Sequence, residues 1–202
     1  MKTVTLLVTG GIGSGKSAVA ACLERNGIPV YDSDSRTKSL YDSDEELRGK
    51  LEELLGTALR TEDGHFDRKR FASLIFSDRC LLEEVERIVH PAVLEDFRLW
   101  REEALTRSDI VAMESAIALD KPLFRGVYDV VVMVDASMEL RVERACRRDS
   151  SDPAAVMERI RCQNTDFTGA DYIIENNGSL SCLDGAVLRV VGSIREKWLQ
   201  KN

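Results

Sequence analysis

The chain has 202 residues, 44% of them hydrophobic and 31% charged, the balance of a single soluble globular domain large enough to bury its own core. Its 28 basic and 35 acidic residues leave a formal charge of −7, which argues against non-specific nucleic-acid binding, a mode driven by neutralising phosphates. No apolar run is long enough to span a membrane and the start does not read as a signal peptide, so a cytoplasmic protein with no membrane partner is expected.

The first element is an apolar run, Val4 to Val8, which reads as a buried strand. It leads into Gly10-Gly11-Ile12-Gly13-Ser14-Gly15-Lys16-Ser17 and then a helical Ala18 to Leu23. This is G-x-x-x-x-G-K-[ST] in its strand–loop–helix setting, the P-loop that cradles phosphates with backbone amides. The helix starting near Lys16 adds the positive end of its dipole. Lys16 can reach the β- and γ-phosphates, and the Ser17 hydroxyl can sit on Mg²⁺. A dinucleotide loop is the competitor, since Asp32 lies at a suitable distance to hold a ribose. Counted from Gly11 and Gly13, however, the third glycine of G-x-G-x-x-G would fall on Lys16, so the register fails.

Ile28 to Tyr31 reads as a second strand, followed by apolar runs at Ile110–Met113, Val130–Val134 and Tyr172–Ile174. Strands alternating with helices predict an α/β fold: a P-loop three-layer sandwich around a five-stranded parallel sheet. Residues 33–107 carry helical patterns only, one starting at Asp44, one from Asp67 to Phe76 and one from Pro91 to Leu105. They form a predicted helical insertion, the place where a kinase could hold its second substrate. Residues 137–167 read as a helix pair split at Ser150-Ser151-Asp152-Pro153, with Asp152 as cap and Pro153 as first helical residue. The core is then 1–32, 108–136 and 168–202, closed by a helix from about Leu183 to Leu199. Cys22, Cys80, Cys146, Cys162 and Cys182 show no metal-ligand spacing and read as reduced core or near-core thiols.

Ligands of open α/β sheets bind at the carboxyl ends of strands, where Asp32 and Asp34 fall after the second strand. Phosphoryl transfer to an alcohol needs a carboxylate that takes the hydroxyl proton, which either could do; the competing reading of the pair is a helix cap. Arg141, Arg144 and Arg148 recur at i, i+3, i+7 and would share a helix face, as a lid over ATP or as a solvated surface. Glu114, ending the third strand, could approach metal or substrate. His90-Pro91 stands just ahead of the predicted long helix, where a histidine most often caps or packs. A nucleotide-dependent switch is the main rival outside enzymes. The absence of an Asn-Lys-x-Asp guanine-reading element weakens it, as does the carboxylate pair, which a switch does not need.

Together these segments resemble the dephospho-CoA kinase family. The resemblance runs from Val8 to about Gly178 and includes the P-loop, Gly27 to Asp34, the Gly64–Phe71 turn with Asp67-Arg68, Phe76 and His90-Pro91. It continues with Arg144, Arg148, Gln163 and Ala170-Asp171-Tyr172-Ile173-Ile174-Glu175-Asn176-Asn177-Gly178. The sequence departs from the family pattern at Ala18, usually Thr, at Asp120, usually Glu, and in a shortened stretch between Gln163 and Ala170. The resemblance implies ATP-dependent phosphorylation of the ribose 3′-hydroxyl of dephospho-CoA, the last step of CoA synthesis, with Mg²⁺ as cofactor. Residues 13 to 18 (Gly13, Ser14, Gly15, Lys16, Ser17 and Ala18) would form the ATP loop together with Gly11, and Arg148 would join them from the lid. Asp34 would be the base and Lys16 and Arg144 the charge-neutralising groups, while Asp32, Asp34 and His90 would face the substrate. ATP and dephospho-CoA are the implied partners, with no nucleic acid; oligomeric state stays open, with a monomer favoured.

Overall fold

The structure is a computed structural model and describes residues 2–75, 78–163 and 168–199. Phe76 and the Asn164–Phe167 part of the shortened stretch lie outside the described residues. Five strands, β1 (Val4–Gly10), β2 (Val30–Asp32), β3 (Ile110–Glu114), β4 (Val130–Asp135) and β5 (Tyr172–Glu175), form a parallel sheet in the order β2-β3-β1-β4-β5. β1 lies at its centre, paired with β3 and β4, and every one of its residues is buried. A strand buried on both faces reads as an unbroken apolar run, which is why the sequence advertised it. One face of the sheet, with Leu6, Val8, Ala112 and Val132, packs against α1 (Lys16–Arg25) and α8 (Leu180–Ile194) through Val19, Leu23, Leu183, Val187 and Val191. The alternate residues Leu7, Val111, Met113, Val131 and Met133 are equally buried, so the opposite face is covered too.

Between β2 and β3 come α2 (Ser33–Ser43), α3 (Glu45–Leu55), α4 (Arg68–Ile75) and α5 (Arg79–Ala104). After β4 come α6 (Met138–Asp149) and α7 (Pro153–Cys162). The chain divides into two compact units, Met1–Tyr31 with Arg101–Asn202, and Asp32–Trp100. In the second unit Tyr41 stacks on Phe66 at 4.6 Å and meets Phe71 at 5.4 Å, and burial pushes its hydroxyl up to about 12. The Gly64–Phe71 turn feeds this cluster: an Arg60–Phe66 bridge closes it, Asp67 caps α4, and Arg68 pairs with Asp42 of α2.

Several expectations need correction. α5 starts twelve residues before Pro91, counting from Arg79, so His90-Pro91 lies inside the helix and not ahead of it. An internal proline costs about 3 kcal/mol. Val85, Val89, Val93, Leu94 and Phe97 form a buried stripe through the break. At about 1.5–3 kcal/mol per side chain, that burial outweighs the proline. α2 is signalled in the sequence only by the cap reading of Asp32 and Asp34, because it has no apolar stripe: only Ser33 is buried, and Thr37, Ser39 and Ser43 turn their hydroxyls back to carbonyls four residues earlier. The last helix begins at Leu180 behind a Ser179 cap and ends at Ile194, continuing as a π-helical segment, Arg195–Leu199. Of the cysteines only Cys22 is a core thiol; Cys80, Cys162 and Cys182 are exposed and Cys146 half-buried, and all five are free.

Candidate functional site: a P-loop buttressed by two helices and an asparagine

β1 delivers the chain to Gly10, and α1 takes over at Lys16 after a five-residue loop. Gly15 occupies the N-cap position with φ 98°, in the left-handed region that glycine alone adopts freely. No side chain caps this helix and its first turn carries no acid. The Ala18 amide donates to the Gly15 carbonyl at 3.0 Å, which leaves the Ser17 amide to face an incoming anion. The Lys16 Nζ lies 3.0 Å from the Gly10 carbonyl oxygen and 3.4 Å from that of Gly11, so the ammonium stays at the loop.

The loop is braced from several elements. The Arg144 Nη2 donates to the Asn176 carbonyl (2.9 Å) and its Nη1 to the Ser14 carbonyl (3.4 Å). The buried Asn176 side chain donates to the same Ser14 carbonyl at 2.9 Å. The Ile12 amide donates to Gln163 Oε1 at 2.7 Å, and the Arg141 Nε donates to the Ile12 carbonyl at 2.9 Å. Asp171 fixes the strand behind Asn176 by accepting the Val131 amide at 2.8 Å, while Asn177 accepts that of Ser137 at 2.8 Å and so anchors the start of α6. A Cβ on Gly15 would fall 2.1 Å from Asn176 Nδ2, so this glycine makes room for the brace as well as for the turn.

The arginine face read from the sequence is split. Arg141 and Arg144 turn to the loop, whereas Arg148 is exposed and grips Asp149 at 2.7 and 3.1 Å. Asp149 also accepts from Arg159 at 3.1 Å, and the two guanidiniums hold its carboxyl down at about 2.

Ser17 Oγ lies 3.1 Å from Glu114 Oε1. A hydroxyl and a carboxylate side by side are hard oxygen donors of the kind Mg²⁺ takes from a protein, leaving its other positions to phosphates and water. Among the described residues no group of three or more His, Cys, Asp or Glu side chains could hold a metal by itself. The pair fits a magnesium ion that arrives with a nucleotide. Sequence position had flagged Glu114 without a partner; Gln163 and Asn176 had no signal at all beyond the resemblance, because no local pattern reports a hydrogen bond across 150 residues.

In the second unit, Asp32 is the N-cap of α2: its carboxylate accepts the amides of Asp34 (3.0 Å) and Ser35 (3.1 Å) and the Ser35 hydroxyl (2.6 Å). Asp34, on the first turn, is exposed and its carboxylate has no hydrogen-bond partner among the described residues. The competing reading of the pair as a cap applies to Asp32. His90 lies half-buried in the middle of α5.

The sequence matches a family model described as dephospho-CoA kinase over residues 4–181. A dephospho-CoA kinase from Porphyromonas gingivalis is 41% identical over 198 residues, covering 96% of this chain and 96% of that protein. The crystal structure of TT1252 from Thermus thermophilus superposes with a TM-score of 0.77 at 32% identity, covering 96% of this chain and 99% of its own. A dephospho-CoA kinase structure from Campylobacter jejuni shares the fold, with a TM-score of 0.62 at 20% identity and coverage of 95% and 97%. With a family model spanning most of its length and a relative that similar from end to end, the chain belongs to the dephospho-CoA kinase family.

Proposed function

We propose that this protein transfers the γ-phosphoryl group of ATP to the 3′-hydroxyl of the ribose of dephospho-CoA, giving CoA and ADP. The observation that carries the reading is the uncapped start of α1 behind a braced P-loop, with Ser17 and Glu114 side by side at its edge. Residues 13 to 18 form the loop that holds the β- and γ-phosphates, Lys16 swings from the Gly10 carbonyl onto them, and Arg144 adds positive charge while it fixes the Ser14 peptide. Ser17 and Glu114 would hold the Mg²⁺ that accompanies ATP, and the ion would neutralise phosphate charge there.

Residues 33–107 act as the acceptor-binding subdomain, with His90 on that side, and 137–167 as the lid that also carries Arg148. The unpartnered carboxylate of Asp34 takes the hydroxyl proton as the 3′-oxygen bonds to the γ-phosphorus and the bond to the ADP oxygen breaks. Asp32 serves the acceptor indirectly, by setting the start of α2. The test is ADP release from Mg-ATP with purified protein and dephospho-CoA, with mass spectrometry of the product. Release that depends on dephospho-CoA, with one phosphoryl group added to it, is expected. Release that depends instead on a nucleoside monophosphate or another small alcohol would reject the acceptor.

A further inference from the structure

Gly11 poses a question that the P-loop motif does not answer, since its position in G-x-x-x-x-G-K-[ST] is open. Nor does the turn require it: Gly10, Gly13 and Gly15 have positive φ, whereas Gly11 does not. The space beside it is taken by Arg141. A Cβ on Gly11 would fall 2.1 Å from Arg141 Nη2 and 2.7 Å from Cζ, so the guanidinium fills the space where that side chain would be. Gly13 meets the same residue, its Cβ falling 2.1 Å from the Arg141 carbonyl oxygen.

Arg141 itself is unusual. It is 8% exposed, its Nε is spent on the Ile12 carbonyl, and its buried Nη2 has no hydrogen-bond partner among the described residues. No carboxylate among them pairs with it either. A buried cation without a counter-ion is costly, and replacing one by an apolar side chain is often neutral or stabilising. A charge kept at such a cost, pressed against a phosphate-binding loop, is best explained by what that loop receives.

We propose that Arg141 is a positioning residue of the nucleotide site. Its guanidinium, seated against Gly11 and bonded to the Ile12 carbonyl, fixes the apex of the P-loop and places a permanent positive charge beneath the polyphosphate. The inference rests on the P-loop holding a nucleoside triphosphate, but not on the identity of the acceptor.

The test compares wild type with Arg141→Met, which keeps the stem and removes the charge, and Arg141→Lys, which keeps the charge and loses the planar fork. The readouts are the Kd of Mg-ADP by calorimetry, kcat and KM for ATP, and Tm. For Arg141→Met, Kd and KM for ATP should rise about tenfold. The loss should fall more on KM than on kcat, while Tm holds or rises; Lys should recover most of the affinity. The gap between wild type and Met should narrow as salt is raised. An unchanged Kd overturns the proposal, and so does a lowered Tm whose loss of affinity Lys does not restore, because both mark a merely structural brace. Should the Met variant not fold, Arg141→Gln carries the same comparison, with a Kd rise of at least about threefold required. Tight Mg-ADP binding without transfer to dephospho-CoA would refute the acceptor and leave Arg141 to be judged on Kd alone.

Discussion

Two aspartates two residues apart differ in their hydrogen bonds. Asp32 accepts three at the start of α2, whereas Asp34 accepts none among the described residues. Replacing an N-cap aspartate costs about 0.5–2 kcal/mol, so Asp32→Ala should lower Tm in denaturation scans. Asp34→Asn should leave Tm in place and lower kcat by about 10²–10⁴, the scale of a lost general base. Calorimetry should find ATP affinity intact in that variant. A variant that turns over normally, or that loses ATP instead of turnover, would take Asp34 out of the base role. From the residues alone the pair could be read as base or as cap; the cap reading holds for Asp32, and Asp34 is left as the proposed base. Capping chemistry and general-base chemistry ask for the same side chain. Only the coordinates show which carboxylate is already occupied.

The α6–α7 hairpin turns at Ser150 with φ 50°, and Asp149, just before the turn, ties the two helices through Arg148 and Arg159. Its carboxyl lies at about 2, below the ordinary value of about 4 in an unfolded chain. A depressed folded value means that the ionised form stabilises the hairpin. That contribution is fully present above about pH 4 and fades as pH falls through about 2. Asp149→Asn should therefore melt slightly below wild type at pH 6, and the two Tm values should converge by about pH 2. A difference that persists in acid would show that packing, not charge, holds the turn; Ala145, Val156 and Ile160 form the small core available for it. The hairpin's boundaries were legible because Asp152 and Pro153 are unambiguous start signals, and Asp152 does cap α7. The helix start expected at Pro91 falls at Arg79 instead, since a proline is a local signal and the apolar stripe crossing it acts over the whole of α5. α2 shows the opposite case: a serine-rich helix with one buried residue leaves no periodicity to read, and only its capping aspartates signal it.

At the scale of the molecule, an acidic chain must receive two strongly anionic ligands. The positive potential is therefore local: Lys16, Arg141, Arg144 and the start of α1 gather at one loop in the first unit, while the formal charge of the whole remains −7. The sheet and the P-loop were legible because both are local signals, an apolar run and a fixed glycine spacing. The division into two compact units is a property of long-range packing, and the proposed assignment of one ligand to each needs a direct measurement. A ligand at a hundred times its Kd stabilises the state it binds by about 2.7 kcal/mol, roughly a hundredfold slowing for amides that exchange only when that unit opens. Hydrogen exchange should then separate the ligands. Mg-ADP should protect β1, the P-loop, α1 and the α6–α7 hairpin, all within Met1–Tyr31 and Arg101–Asn202. Dephospho-CoA should protect Asp32–Trp100, above all the first turn of α2 and the middle of α5 around His90. Protection by dephospho-CoA confined to the first unit would remove the helical insertion from acceptor binding. Asp34 would then have to meet its hydroxyl without help from the helices that surround it in sequence.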